Sequence, residues 1–483
     1  MVKTRIAPSP TGFPHVGTAY IGIFSYAWAR KNGGRFIVRI EDTDRKRYVK
    51  GAEEGILRSL KWLGLDYDEG PDVGGPNGPY RQSERLELYR RYAQQLLDAG
   101  LAYRAFETSE ELAAIREELQ KKGLGYGYDG RARRIPREEA EARAAAGEPH
   151  VIRLKTPDSG STIITDELRG NIEFAAEEIP DVVLLKSDGF PTYHLAVVVD
   201  DHLMEVSDVI RGEDWLVSTP IQKLLYQAFG WDEPKWYHLP LLRAPGGAKL
   251  SKRTGHTSLD YYRQAGYLPE ALRNYLATMG FSMPDGREIF TLQEMIEAFS
   301  WDRVSLGGPV FDEEKLRWMN GKYIREVLSL EEVCERLKPF LQGAGLGWES
   351  DAYLCKVTEA MRPRFETLSE FVEKSAYFFD ENYPFAPKAE KELKKGLREL
   401  REVRDILAAL PELSHEQSEA AIKEYAQERG LKLRKVMQPL RAAITGSLAT
   451  PGMYELLEIF GKERVLARIE RALQHAEELE DGR

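Results

Sequence analysis

Cysteine is nearly absent: Cys334 and Cys355 are the only two in 483 residues. Two cysteines exclude a disulfide framework and a multi-cysteine metal site, and both fall at buried positions of helical patterns. No apolar run approaches about 18 residues, and no basic-then-apolar leader opens the chain. A membrane span and a secretory signal are therefore not expected, and the cytoplasm is the expected compartment. A basic excess is missing as well, with 68 Lys and Arg against 78 Asp and Glu and a net charge of −10. This argues against a generally adhesive nucleic-acid binder, although local basic faces decide affinity. No repeat of fixed period is present, and the length suits about three domains.

Two stretches carry chemistry. In the first, an apolar strand (Val2 to Ala7) enters a loop in which Pro8, Pro10 and Pro14 forbid regular structure. Gly12 and Gly17 allow close backbone approach, and a helix starts after His15. A helix N-terminus at a strand end directs free N–H groups outward, an arrangement suited to phosphate, and His15 adds a donor. In the second, a strand (Tyr237 to Leu242) and the turn Pro245-Gly246-Gly247 precede Lys249-Leu-Ser-Lys252-Arg253. Two lysines in a loop suit a developing pyrophosphate. Taken singly, the first stretch is also an ordinary strand-to-helix turn and the second a solvated loop.

The flanking pattern predicts an α/β core. A helix over Val16 to Lys31 is stopped by Gly33-Gly34. Arg35 to Glu41 alternates, with Phe36, Val38 and Ile40 on one face and Ile37, Arg39 and Glu41 on the other. Helices are expected over Glu53 to Leu65 and Ser83 to Ala99. Such an opening indicates a doubly wound parallel sheet with ligands at the strand ends, so Ala7 and Glu41 share one crevice. From Leu101 to about Pro180 the pattern changes to an α/β insertion. It holds a helix capped by Ser109, a glycine and tyrosine patch (Gly123 to Gly130), the basic run Arg131-Ala-Arg133-Arg134, and strands at Val151 to Lys155, Ser161 to Asp166 and Asn171 to Ala175. The sheet is expected to resume at Val182 to Lys186 and to include the apolar run Thr192 to Val199 as a strand buried on both faces, then Ser207 to Arg211, followed by a helix at Thr219 to Phe229. Beyond residue 260 the chain reads as helical to its end, with helices that include Ala389 to Ala409, Met437 to Thr445 and Met453 to Glu478.

Together His15-Val-Gly-Thr18 and Lys249-Leu-Ser-Lys-Arg253 resemble the paired signatures of the class I aminoacyl-tRNA synthetases. Ser9-Pro-Thr-Gly12 and Arg39-Ile-Glu-Asp-Thr-Asp44 resemble the glutamyl/glutaminyl subgroup, and the bacterial glutamyl enzymes in particular, over essentially the whole chain. The resemblance implies a multi-domain protein: an α/β doubly wound parallel-sheet (Rossmann-type) catalytic core with an α/β insertion, then an all-α C-terminal anticodon-binding region. Its expected parts are residues 1–100 and 182–255 (core), 101–181 (insertion at the tRNA acceptor end), 256–322 (helical stem contact) and 323–483 (anticodon region).

The implied activity is ATP-dependent ligation of L-glutamate to tRNA-Glu. His15, Lys249 and Lys252 would stabilise the transferring phosphates. ATP contacts would come from Ala7, Pro8, His15, Gly17, Thr18, Asp214, Trp215, Leu242, Lys249, Leu250, Ser251 and Lys252, with adenine read by the main chain of Leu242 and Leu250. A glutamate pocket needs an Arg fork for the side-chain carboxylate. Arg5 is the first candidate and Arg211 the second, with hydroxyls from Ser9 and Tyr193, and Glu41 for the ammonium. The plain alternative for Glu41 is an ion pair to Arg39 or Arg5. Many relatives carry asparagine near His194 or Val197, where this chain has none. Mg²⁺ would come with ATP. No zinc is expected, because Tyr103-Arg-Ala-Phe-Glu107 lacks the cysteines that hold it in some relatives. Arg131, Arg133 and Arg134 would meet the acceptor end, and Lys432, Arg434 and Lys435 phosphates. Arg364, of the type that selects tRNA-Glu over tRNA-Gln, would read the anticodon with Arg441 and Thr450-Pro451-Gly452-Met453. No membrane partner and a monomeric state are expected. The helical C-terminus argues against a glutaminyl enzyme, whose anticodon region is a β-barrel, and the length against a glutamyl-queuosine synthetase. A small-molecule nucleotidyltransferase would not need the helical tail, and intact His15, Lys249 and Lys252 argue against a non-catalytic RNA binder. A non-discriminating glutamyl enzyme is the alternative within the family.

Overall fold

The computed structural model describes residues 1–123, 128–251 and 256–481, with side chains to residue 478. Lys252, Arg253 and residues 124–127 of the glycine and tyrosine patch lie outside the described residues. The chain divides into two units, residues 1–263 with 269–316, and residues 264–268 with 317–483. Among the described residues no helix is long and apolar enough to cross a membrane.

In the first unit, β1 (Lys3–Ile6), α1 (Val16–Lys31) and β2 (Arg35–Val38) form the expected opening, with β1 and β2 parallel. Next come α2 (Ala52–Trp62), α3 (Leu86–Asp98), β3 (Ala102–Ala105), α4 (Ser109–Lys121), α5 (Arg137–Ala145) and β4 (Val151–Leu154). Then β5 (Ser161–Asp166), β6 (Gly170–Ala175), β7 (Val183–Leu185), α6 (Tyr193–Leu203), β8 (Asp208–Gly212), α7 (Thr219–Phe229) and β9 (Lys235–Leu239) follow. The sheet runs β6-β5-β9-β8, with β5, β9 and β8 parallel and β6 an antiparallel edge. The Ser207 N–H donates to the Lys3 carbonyl at 3.0 Å, which brings β1 alongside β8. Side chains alternate across this sheet: Trp236 joins a core with α3, α6 and α7, while Tyr237 meets Trp28 of α1 at 6.1 Å.

Four readings of this region need correction. The run Thr192 to Val199 is the first part of helix α6, not a strand. Leu195 to Val199 are all buried, since α6 packs between α3, α7 and β7, and this packing overrides the β preference of three consecutive valines. Strand β7 does not resume the main sheet but pairs antiparallel with β4 in a sheet of order β3-β4-β7. The hairpin β5–β6, expected in the insertion, joins the main sheet beside β9. Strand pairing thus crosses residue 181 in both directions. The α4 cap is Thr108 rather than Ser109, with Glu111 completing a reciprocal capping box. The basic run is engaged within the protein. Arg133 is held by Asp181, Asp158 and Thr156, and Arg131 by Asp129 and Glu118.

The chain continues through α8 (Leu259–Gln264), α9 (Pro269–Thr278), α10 (Leu292–Ala298) and α11 (Glu313–Lys322). The second unit holds α12 (Leu330–Gly343), α13 (Asp351–Met361), α14 (Leu368–Ser375), α15 (Pro387–Lys395), α16 (Leu397–Ala409), α17 (His415–Glu428), α18 (Leu433–Thr445) and α19 (Met453–Asp481). The single helix expected over Ala389 to Ala409 is broken at Gly396, where a Cβ would come within 2.1 Å of the Pro439 ring on α18. Cys334 and Cys355 are joined as one disulfide between α12 and α13, with Cα atoms 5.7 Å apart, a pairing that spacing alone did not indicate.

Candidate active site

The first signature forms a strand, loop and helix as expected, but the amides at the start of α1 are not free: Val16 donates to Thr257, Gly17 to the His15 ring, and Thr18 and Ala19 to the His15 carbonyl. His15 caps α1 in extended conformation, and its Nδ1 accepts the Gly17 N–H at 2.9 Å. A neutral ring then carries its proton on Nε2. A Cβ on Gly17 would stand 3.1 Å from that Nδ1. The Pro8 carbonyl accepts the Glu41 N–H at 3.0 Å, so the ends of β1 and β2 do share one crevice. The Val16 N–H donates to the Thr257 carbonyl at 2.8 Å and the Leu259 N–H to Pro14 at 3.0 Å. These bonds fasten the segment after the second signature to the start of α1.

A cavity of about 1080 Å³ opens here. Its wall includes Arg5, Ala7, Pro8, Ser9, His15, Gly17, Thr18, Glu41, Tyr193, Arg211, Asp214, Trp215, Leu242, Lys249 and Leu250. Ser251 is not on the wall, and Lys252 lies outside the described residues. His194 and Val197 are not on it either. Val197 belongs to the hydrophobic core, because the helical geometry of α6 turns it away from Tyr193. The His194 Nδ1 is shut off from solvent with no hydrogen-bond partner among the described residues, and burial pushes its pKa down to about 4.

Beneath the cavity lies a buried ionic network in which Asp200 and Asp201 join Glu41, two acids that no local sequence pattern marks as part of the site. Asp201 Oδ1 accepts from Arg39 Nη1 at 2.7 Å and Arg5 Nε at 3.2 Å, and Oδ2 accepts from Arg5 Nη2 at 3.3 Å. Asp200 accepts from Arg85 Nε at 2.7 Å, Tyr89 at 2.8 Å and Gln82 at 3.0 Å. Arg39 also reaches Glu41 at 3.2 Å, so the plain alternative for Glu41 holds while its side chain still lines the cavity. Burial raises the Glu41 pKa, with Arg39 and Arg5 opposing. Burial would also raise that of Asp201, but Arg5 and Arg39 reverse the effect and lower it.

Arg211 differs from Arg5. Its guanidinium is buried yet donates only to neutral groups: Nε to His238 Nε2 at 3.0 Å, Nη1 to the Tyr193 hydroxyl at 3.1 Å and Nη2 to Thr219 Oγ1 at 2.8 Å. Each terminal nitrogen keeps one N–H. Among the described residues no carboxylate touches it, and burial lowers its pKa. Trp236 lies against one face of the guanidinium, its ring centre 5.1 Å away. Arg5, ranked first from sequence, is instead bonded to Asp201 through two of its nitrogens.

On the outer wall, Trp215 lies against Tyr193 with ring centres 4.4 Å apart and planes tilted by 32°, and is 40% exposed, a wall position rather than core. Lys249 Nζ pairs with Asp214 at 2.7 Å. Leu250 donates its N–H to the Leu242 carbonyl at 2.9 Å, so that N–H is occupied within the hairpin. In the second unit, Arg441 donates to the Thr450 hydroxyl and to the Pro451 carbonyl at 2.6 Å. Burial, with nearby Arg364, lowers the Arg441 pKa, and both arginines act electrostatically on Tyr377. The expected anticodon residues therefore form one cluster, with Arg364 exposed and Met453 at the start of α19.

Residues 1–318 match the family described as tRNA synthetases class I (E and Q), catalytic domain, and residues 332–473 match an anticodon binding domain. The chain is 68% identical to a glutamate–tRNA ligase of Thermus thermophilus over 98% of this chain and 100% of that protein. It is 53% identical to one of Deinococcus radiodurans, over 97% and 98%. A crystal structure of a glutamate tRNA ligase from Elizabethkingia meningosepticum in complex with its amino acid superposes with a TM-score of 0.88 at 38% identity, covering 98% of this chain and 99% of that one. The chain belongs to the glutamate–tRNA ligases of the class I tRNA synthetase family.

Proposed function

We propose that the chain, as a glutamate–tRNA ligase using ATP, binds the side-chain carboxylate of L-glutamate on the two remaining N–H groups of Arg211. Arg5, Ser9 and Tyr193 complete that end, and Glu41 faces the ammonium. The observation that carries this reading is a buried guanidinium with paired donors and no acid against it. A carboxylate supplies the missing charge in bidentate geometry.

In the first step the α-carboxylate of glutamate attacks the α-phosphorus of ATP and pyrophosphate leaves. In the second, the terminal ribose hydroxyl of tRNA attacks the glutamyl carbonyl and AMP leaves. Neither step uses a protein nucleophile. His15 Nε2–H and the Thr18 hydroxyl stabilise charge at phosphorus, with Lys249 and Lys252 at the outer phosphates. Ala7, Pro8, Gly17, Asp214, Trp215 and the hairpin of Leu242 and Leu250 enclose the nucleotide. Mg²⁺ enters with ATP, held chiefly by its phosphate oxygens. Residues 101–181 meet the acceptor end, 256–322 the stem and 323–483 the anticodon, where Arg364 selects tRNA-Glu over tRNA-Gln. The enzyme works as a monomer in the cytoplasm.

The test is charging of purified tRNA-Glu and tRNA-Gln with labelled glutamate, with glutamine as control. Glutamate on tRNA-Glu alone supports the discriminating reading, and glutamate on both replaces it with the non-discriminating one.

A further inference from the structure

Behind Arg211 stands a pair of buried groups with no role in the scheme above. His238, on β9, is completely buried, and Asp166, at the end of β5, is 1% exposed. Asp166 Oδ1 accepts the Leu168 and Arg169 N–H groups at 2.9 Å each, and Oδ2 meets His238 Nδ1 at 2.6 Å. Obligations on each side assign the imidazole. The Arg211 Nε can only donate, so His238 Nε2, which also stands 3.3 Å from the Thr219 hydroxyl, accepts, and the ring proton sits on Nδ1, facing a carboxylate.

We propose that Asp166 and His238 are positioning residues for Arg211, holding its fork at the angle that receives the side-chain carboxylate of the substrate. The proposal rests on the reading that Arg211 binds that carboxylate. The guanidinium is fixed at three corners: His238 at Nε, Tyr193 at Nη1 and Thr219 at Nη2. Of these only His238 has a partner that dictates its protonation. Thr219 and Tyr193 can rotate their hydroxyl hydrogens away and accept from Arg211 at any pH, whereas an imidazolium would set N–H against N–H at 3.0 Å. The other charged groups near the ring are Arg169, which donates to the His238 carbonyl at 3.0 Å, and Glu213, which pairs with Arg169 at 2.7 Å. Burial and the positive charges of Arg211 and Arg169 lower the His238 pKa, against the pull of Asp166. The fork is therefore held at neutral pH and released in acid.

The proposal is tested by aminoacylation kinetics on the full chain with tRNA-Glu. In Asp166→Asn the Leu168 and Arg169 amides hold the amide oxygen, so the NH₂ faces His238 and forces the proton to Nε2, against Arg211. We expect the glutamate KM of Asp166→Asn and His238→Leu to rise at least about tenfold, the ATP KM to stay within about twofold, and kcat at saturating glutamate to change little. His238→Gln can offer its amide oxygen in place of Nε2 and should restore most of the affinity. It should also remove the rise in glutamate KM that the wild type shows once pH falls below the ordinary histidine range. Arg211→Gln is measured alongside. An unchanged glutamate KM in Arg211→Gln overturns the underlying reading. A raised KM there with unchanged values in Asp166→Asn and His238→Leu overturns the positioning role alone. Should those variants fail to fold, the pH profile decides: an equal acid slope in wild type and His238→Gln overturns the proposal, and a flat His238→Gln profile supports it.

Discussion

Replacing Asp201 by Asn tests the network that supports the site. The substitution preserves shape and removes one charge. In the wild type the three bonds to Arg39 and Arg5 neutralise two buried guanidiniums, with Glu41 and Asp200 sharing Arg39. The amide must point its NH₂ at an arginine whichever way it turns. With nitrogen in place of Oδ2 it opposes Arg5 Nη2, and in place of Oδ1 it opposes both Arg39 Nη1 and Arg5 Nε. Removing one partner of a buried ion pair costs about 3–5 kcal/mol. The first unit has about 300 residues, and an unfolding entropy near 2 cal/mol/K per residue gives roughly 0.6 kcal/mol/K. The expected fall in melting temperature is therefore about 5–8 °C, read by scanning fluorimetry. Glu87→Gln, at an exposed pair with Arg90, should shift it by less than about 2 °C. Glutamate KM should rise with Asp201→Asn because Arg5 loses its anchor. A melting temperature within about 1 °C of the wild type would refute the view that Asp201 holds the two arginines.

Three further outcomes are expected. Lys252→Ala should slow glutamate activation by roughly two to three orders of magnitude, the loss of one oxyanion-type donor; a wild-type rate in pyrophosphate exchange with tRNA present removes Lys252 from the mechanism. Arg364→Gln should bring the charging rates of tRNA-Glu and tRNA-Gln closer while leaving glutamate and ATP KM unchanged, and an unaltered preference rules that role out. His194, with a folded pKa of about 4 against about 6.5 when unfolded, binds its proton more readily in the unfolded chain between those values. Its contribution to stability therefore falls as pH drops from 6.5 to 4, by at most about 3 kcal/mol. Urea midpoints of His194→Gln should show a shallower acid slope than the wild type, and an identical slope contradicts the burial of Nδ1.

Much of the site was legible because its signals are local. Proline spacing and a helix start placed His15, and alternation after Gly34 placed Glu41 just beyond β2. Tyr193 was found but set on a strand, because an eight-residue apolar run suits both structures until its length is known. The acids that close that run, Asp200 and Asp201, were the available sign that it continues as a helix with one buried polar side. Arg5 was ranked above Arg211 because a strand end says where an arginine sits and not which acid stands beside it. Asp201 lies 196 residues from Arg5, and Asp166 72 residues from His238. Such pairings are set by sheet order, which required the hairpin β5–β6 to be moved from the insertion to the side of β9. In the second unit helix positions were legible from apolar spacing, but the break at Gly396 depends on Pro439, which no local pattern reveals.

The bonds that fasten residues 257–259 to Pro14 and Val16 have a consequence for biosynthesis. Strand β1 and helix α1 leave the ribosome early, while the segment that braces them is made some 240 residues later. At about 5–20 residues per second this interval is roughly 12–50 s. Throughout it the amino-terminal phosphate loop lacks its brace, and the strand β8 that lies beside β1 is still unmade for most of that time. A chain interrupted before residue 257 therefore carries the whole first signature without a finished nucleotide site, and ATP binding by truncated nascent chains should appear only once that segment has emerged.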